Sequence, residues 1–338
     1  MKEIQRYDST VDILRIVSIL AVIAIHTTTR TIEFSNFDLE SIPLTLLFNQ
    51  ASRFAVPLFF MISGFVLELN YVTGQSYFGF LKKRIEKLFI PYLFWSAIYY
   101  FLVYPVGRNP FFIKSLLFGD ASYQLYFIPS LLLFYFIFPI LYKYFRIIGN
   151  NLFLLFLFLT QVAILYFDYY ERSLLIPYPL LISILNFFPF VFGIYISIYY
   201  EKFKLLISKK SIVLLLFFLT LGSLSIIFKE GYFGYINTHN YQTFYSQWRP
   251  SVLIYSLSLS GLFYLFFNKL KANEKVVKSI AGKSFLVFLI HVIVLELISN
   301  FVPNLVRVDI LYFGSVVLIS FGFSYVLHKI PNLYKYIG

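Results

Sequence analysis

Ten times along its length the chain stays apolar for long enough to cross a bilayer. The runs lie at about 13–31, 43–69, 88–105, 123–142, 151–167, 180–199, 211–228, 250–268, 282–300 and 309–327. A helix rises about 1.5 Å per residue, so about 20 such residues cover the ~30 Å of hydrocarbon in a membrane. The fold class this predicts is all-α: a polytopic integral membrane bundle of about ten transmembrane helices. Composition agrees, because 13% of the residues are charged, against about 25% in soluble domains. The 43 Phe and 29 Tyr suit lipid-facing surface and interfacial belts better than a binding box.

The net charge of +12 raises the possibility of a nucleic-acid partner, but its distribution argues for topology instead. Eighteen Lys and Arg fall in the even-numbered connections and the termini, and seven fall in the odd-numbered connections. This is the positive-inside pattern, which puts both termini in the cytoplasm. With no cysteine, disulfide and thiolate chemistry are excluded. Four scattered histidines give no cluster for a metal. The first run begins near residue 13 without a small-residue cleavage site, so it reads as a retained helix and not a signal peptide. No soluble domain fits before, between or after the spans, which leaves one transmembrane domain over 1–338. The longest connection, 229–249, is expected outside; its Tyr, Asn and Gln side chains suit a sugar or simply the interface. Pro57, Pro129, Pro139 and Pro189 fall within spans, where a kink serves packing or opens a cavity.

Ionisable groups inside these spans need explaining, since they are costly in hydrocarbon. DILRIVSILAVIAIH, residues 12–26, carries Asp12 and Arg15 at one end and His26 at the other. Arg15 and His26 are eleven residues apart, about three turns, so they share a helix face about 16 Å apart. Arg53 lies about 15 Å below the outer end of the second span, His26 about 8 Å below the outer end of the first, and Glu296 at a similar depth in the ninth. These three are expected to meet in an outer-half cavity, with Glu296 compensating Arg53 or orienting the histidine. Plainer readings stand beside this one: an interfacial Asp12–Arg15 pair, His26 as a helix–helix hydrogen bond, and a structural Arg53–Glu296 pair. Lys82, Lys83, Arg84 and Lys87 meet the inner surface before the third span. They anchor the chain to anionic lipid, or they clamp a phosphorylated ligand.

These residues also fall into the motifs of a known family. DILR at 12–15 with IH at 25–26, VPLFFMISGFVLEL at 56–69 with Ser63, RIEKLFIPYLFW at 84–95, YQLYFIPSLLLFYFIFPIL at 123–141 and GKSFLVFLIH at 282–291 with Ser284 and His291 together resemble the membrane-bound acyltransferase-3 proteins of bacteria. Three positions depart from the family pattern: Lys87 replaces an arginine, Gln124 a histidine and Tyr126 a tryptophan. Some members append an extracytoplasmic hydrolase-like domain, and none is expected here.

The resemblance implies an enzyme of the bacterial plasma membrane that moves an acetyl or related acyl group. The donor would be acyl-coenzyme A, held by Arg84, Lys82, Lys83 and Lys87, with no permanently bound cofactor and no metal. The acceptor would be a hydroxyl of an envelope or exported carbohydrate or glycolipid, with glycan assembly proteins as possible partners. His26 is the expected general base, since histidine titrates near neutral pH, or the carrier of an acyl intermediate. Arg53 or Arg15 would stabilise developing oxyanion charge. Two other classes stay open from sequence: an exporter of polysaccharide or lipid-linked glycan, and a non-catalytic scaffold.

Overall fold

The computed structural model describes residues 8–36, 38, 43–71, 76–104, 110–143, 150–171, 180–238, 245–270, 272–330 and 336–338. Among these the chain is helical and has no strand. In chain order the helices are α1 (Ser9–Phe34), α2 (Pro43–Ala51), α3 (Ala55–Leu69), α4 (Tyr77–Ile98), α5 (Phe112–Phe118), α6 (Phe127–Lys143), α7 (Asn151–Tyr166), α8 (Leu180–Leu185), α9 (Phe187–Ile198), α10 (Tyr200–Ile207), α11 (Lys210–Thr238), α12 (Pro250–Phe267), α13 (Glu274–Ala281), α14 (Ser284–Phe301) and α15 (Asp309–His328). Each of the ten apolar runs is found as helix. Seven of the helical stretches are individually long and apolar enough to cross a membrane, and α6 and α9 are shorter apolar helices. The protein is a multi-pass membrane helix bundle.

The bundle is organised around α1, which packs against α2, α3, α12, α13, α14 and α15. Its start is capped by Asp8, whose Oδ1 accepts from the Thr10 amide at 2.8 Å. The α2–α3 span is mostly buried, whereas α7, α11 and α15 turn most of their surface outward, as the lipid-facing reading of the aromatic load requires.

Local chemistry explains the irregularities. The second span is interrupted by one turn of 3-10 helix at Ser52–Phe54. Pro57 lacks the amide that would bond the Arg53 carbonyl and its ring crowds that carbonyl, so the helix tightens there. Pro129 and Pro189 lie in the first turns of α6 and α9, where a missing amide costs nothing, so they start helices and do not kink them. Two expected boundaries are corrected. The third span begins at Tyr77, so the basic cluster is part of the helix. The seventh runs on to Thr238, so residues 229–238 of the expected outer connection are helix; 239–244 lie outside the described residues.

The closest helix contact is between α3 and α9. A Cβ at Gly64 would lie 2.1 Å from the Phe190 carbonyl oxygen, and one at Gly193 would lie 1.9 Å from the Met61 carbonyl oxygen. The glycine of the Ser63-Gly64-Phe65 motif is therefore a packing residue, of the small-residue kind that lets membrane helices touch backbone to backbone.

Candidate functional site

A cavity of about 1070 Å³ opens at one end of the bundle. Its rim is built from the odd-numbered connections: Tyr104, Asp120, Asp168 and Tyr245–Trp248 all line it. By the charge distribution this is the outer end. His26, Arg53 and Glu296 line the same cavity.

His26 projects from α1 into the cavity wall. Its ring packs against Tyr123 at 4.7 Å and stacks on His291 at 5.3 Å with 30° between the planes. His291 lies behind it, fully buried. The His291 Nδ1 donates to the Phe288 carbonyl at 2.8 Å, so its proton sits there; Nε2 is buried without a partner in hydrogen-bonding geometry. Late in the chain, the GKSFLVFLIH motif thus brings a second imidazole against the first. Its Ser284 has a different task, donating to the Ala281 carbonyl at 2.7 Å where α13 ends. Ser63 likewise bonds within its own helix, to the Phe59 carbonyl at 2.8 Å.

Arg53 is 3% exposed, and its guanidinium is held by neutral oxygens. It donates to Asn49 Oδ1 at 2.5 Å and to the Tyr245 carbonyl at 2.7 Å. Asn49 in turn donates to the Ile25 carbonyl and to the hydroxyls of Thr28 and Thr29, which ties the break in the second span to α1 beside His26. Gln50 donates to Asn49 Oδ1 and accepts from the Arg249 guanidinium at 2.6 Å. Arg249, fully buried, also donates to the Ile227 carbonyl at 3.1 Å and approaches Glu230 at 3.5 Å. Between them Arg53 and Arg249 fasten both ends of the 245–249 segment, whose side chains form one cavity wall.

Glu296 is not the partner of Arg53. It pairs with Arg30 at 2.6 Å and accepts from the Tyr104 hydroxyl at 3.0 Å. Arg30 also reaches Glu33 at 3.5 Å, and Glu33 accepts from Tyr245 at 3.0 Å. Depth along each helix is readable from sequence, but rotation between helices is not. Arg30 sits one turn beyond His26 and supplies the cation that Glu296 needs.

Arg15 does not line this cavity. It pairs with Asp12 at 2.8 Å and keeps 28% of its side chain exposed, the interfacial arrangement that the spacing allowed. Arg15 near the start of α1 and Arg84 in the first half of α4 belong to the end of the bundle that the charge distribution puts inside. Arg84 is half-buried, lying over the Phe80 ring at 5.7 Å, while Lys82, Lys83 and Lys87 on the same helix are exposed. The basic cluster therefore splits into one inward arginine and three outward lysines.

Two of the three departures from the family motif, Gln124 and Tyr126, lie on the cavity wall. Gln124 is 3% exposed and accepts from Ser122 at 2.6 Å. Tyr126 accepts from the Gln247 carboxamide and packs edge-on against Trp248. Reasoning from sequence missed Tyr123, Tyr104, Arg30 and Arg249; of these only the arginines carried a usable signal, as charges close to span ends. Among the described residues no group of three or more His, Cys, Asp or Glu could hold a metal ion.

Residues 8–329 match the acyltransferase-3 family model, described as an acyltransferase domain. Among curated proteins, the chain is 26% identical over 294 residues to "Putative membrane-bound acyltransferase YfiQ" of Bacillus subtilis (strain 168), covering 82% of this chain and 78% of that one. No solved structure matches the chain significantly.

Proposed function

The chain belongs to the acyltransferase-3 family and is a membrane-bound acyltransferase, and from that premise we propose that it moves an acetyl or related group from acyl-coenzyme A to a carbohydrate hydroxyl in a bacterial plasma membrane. The observation that carries this reading is His26 on the wall of a cavity rimmed by Tyr, Trp, Asp, Glu and Gln side chains. Aromatic faces with carboxylates and carboxamides are what a polyhydroxylated acceptor requires, and general-base catalysis requires an imidazole at the wall.

In this mechanism His26 takes the proton of the acceptor hydroxyl as its oxygen attacks the thioester carbon. The tetrahedral intermediate then collapses, the carbon–sulfur bond breaks, and the protonated imidazole returns its proton to the departing thiolate. An acyl-histidine route would use the same side chain as nucleophile. The donor's polyanionic head would remain at the inner end, near Arg84 and Arg15, while its thin arm reaches inward. Glu296, Arg30 and Tyr104 hold the outer mouth and orient the acceptor.

The test is thiol release from acetyl-coenzyme A by the purified protein in lipid nanodiscs, without acceptor. Slow release by the parent protein and none by His26→Gln supports transfer from coenzyme A. An exporter or a scaffold would leave the thioester intact, and that result would overturn the reading. Mass spectrometry of envelope glycans with and without the gene then identifies the acceptor.

A further inference from the structure

The carboxylates that line the cavity are not equally engaged. Glu296 is held by Arg30 and Tyr104, and Glu33 by Arg30 and Tyr245. Asp168 lines the cavity too and is partly buried, yet among the described residues it has no hydrogen bond and no ion pair. A carboxylate at the edge of hydrocarbon is costly unless something meets its charge. Here the chain itself does not meet it.

Asp168 stands on a built support. After Tyr166, α7 continues as a turn of π-helix at Phe167–Glu171, a rare geometry that is frequent at functional sites. This turn is fastened to the elements behind it. The Tyr170 hydroxyl donates to Glu230 of α11, which also accepts from Ser251 of α12 at 2.6 Å. The Arg249 guanidinium lies over the Tyr169 ring at 5.8 Å. Trp248, next to Arg249 in the chain, packs edge-on against Tyr126 with centroids 5.9 Å apart. The contacts thus run from the residue after Asp168 along a row of rings, Tyr169, Trp248 and Tyr126, that line the same cavity. His26 packs on Tyr123 and His291 instead, so Asp168 is assigned a part in binding and not in the chemistry.

We propose that Asp168 selects the carbohydrate acceptor by accepting hydrogen bonds from two hydroxyls on adjacent carbons of its sugar ring. The inference rests on the acyl-transfer reading of the cavity and names a residue for its acceptor side. The two oxygens of one carboxylate match such a pair of hydroxyls, and charge-assisted bonds are about twice as strong as neutral ones. The apolar C–H face of the sugar lies on the neighbouring rings, and a further hydroxyl is left to face His26. The arrangement also rejects. An acceptor lacking one hydroxyl of the pair leaves a carboxylate oxygen desolvated and unpaired, and an acidic sugar at this position is repelled.

The experiment reads acceptor and donor chemistry separately. Mass spectrometry follows the acyl content of envelope glycans after brief expression of each variant in cells lacking the parent gene. In parallel, acceptor-free thiol release from acetyl-coenzyme A is measured on the purified full-length protein in nanodiscs. Asp168→Ala removes both acceptor oxygens. It should lower glycan acylation by about ten- to a hundredfold, the worth of a charge-assisted contact, while thiol release stays close to parental. Asp168→Asn keeps one acceptor oxygen and should recover part of the acylation. Glu171 lies in the same turn but is exposed and does not line the cavity, so Glu171→Ala should leave both readouts parental. A parent protein that releases no thiol, or leaves the glycans unacylated, overturns the acyl-transfer reading and this inference with it. If the parent does both and Asp168→Ala acylates glycans equally well, the inference alone falls. It also falls if Asp168→Ala loses thiol release to the same degree, because the carboxylate then serves the fold or the chemistry. Loss of acylation in Glu171→Ala would overturn it in favour of the rim's charge as a whole. An Asp168→Asn variant no better than Asp168→Ala would overturn the hydroxyl pair in favour of a cationic group on the acceptor.

Discussion

Arg53 is the residue whose surroundings differ most from what its chemistry suggested. A guanidinium in the middle of a span called for a carboxylate, and Glu296 stood at a compatible depth. The structure satisfies it with an amide oxygen and a backbone carbonyl instead, 2.5 and 2.7 Å away. Its planar fork reaches two oxygens on different elements at once, Asn49 in α2 and Tyr245 in the cavity wall, which a lysine ammonium on a flexible stem does poorly. Arg53→Lys should therefore lower transfer nearly as much as Arg53→Ala, and both should lower the melting temperature, because the 245–249 wall loses a clamp. A lysine variant with parental activity would show that charge alone matters. His26 predicts a different pattern. It lies on the cavity wall against two rings, so His26→Gln should leave protein levels and melting temperature nearly unchanged while transfer drops by about 10² or more, the usual worth of a general base. A glutamine variant working at the parental rate would make His26 helix glue. Some single residues were legible from charge inside a span: Arg15, His26, Arg53 and Glu296 drew attention by their cost, whereas Arg30 and Arg249, close to span ends, did not. Tyr123 and Tyr104 did not, because in a chain with 29 Tyr nothing distinguishes two of them until the helices are assembled.

At the scale of elements, hydrophobic length located the helices: each of the ten apolar runs holds helix, and seven of the helical stretches are long and apolar enough to cross a membrane. Where boundaries were missed, the cause is physical. The helix at Tyr77–Ile98 starts early because Lys82, Lys83 and Lys87 extend into water from a helix as easily as from a loop. The helix at Lys210–Thr238 continues because nothing in residues 229–238 breaks it: no proline intervenes and its hydrogen bonds are internal whether or not lipid surrounds them. The α3–α9 contact was hidden for another reason. Gly64 appeared in the sequence as one member of a motif, and only its neighbour across the interface, Phe190, shows what the glycine is for. Gly64→Ala would place a Cβ 2.1 Å from a backbone carbonyl oxygen. Backbone cannot swing aside as a side chain can, so the two helices must separate. The expected cost is about 1–3 kcal/mol, as for other overpacked cores, seen as a lower melting temperature in detergent. Ser63→Ala beside it loses only a bond within its own helix and should melt close to the parent. Equal stability of the two variants would refute the packing role.

The whole molecule separates two chemistries by about 16 Å along α1, the rise between Arg15 and His26. In the proposed function the acceptor end is the wide cavity rimmed by odd-numbered connections, and the donor end is the opposite one, where Arg15 starts α1 and Arg84 lies in the first half of α4. Phe59, Phe127 and Phe288 also line the cavity, Phe127 packing on the other two with centroids 5.9 and 5.6 Å apart. If the charge distribution has set the orientation correctly, Asp120→Cys in this otherwise cysteine-free chain reacts with an impermeant thiol reagent in intact cells, and a cysteine at Arg84 does not; the reverse pattern would invert the protein in the membrane. The same division assigns the basic cluster its parts. Arg84 is turned toward the bundle, whereas Lys82, Lys83 and Lys87 are exposed. A bidentate arginine–phosphate contact is worth about 1.5–3 kcal/mol, roughly ten- to a hundredfold in binding. Arg84→Ala should then raise the KM for acyl-coenzyme A by that factor and leave kcat nearly untouched, since the thioester reacts at the far end. Replacing all three lysines with alanine should change KM little at physiological salt, because exposed charges are screened over about 8 Å. If the lysine variant raises KM as much as Arg84→Ala, the donor is gathered by the surface as a whole. If neither changes it, the cluster serves topology alone, and the coenzyme's phosphates must be bound elsewhere at the inner end, with Arg15 the next residue to replace.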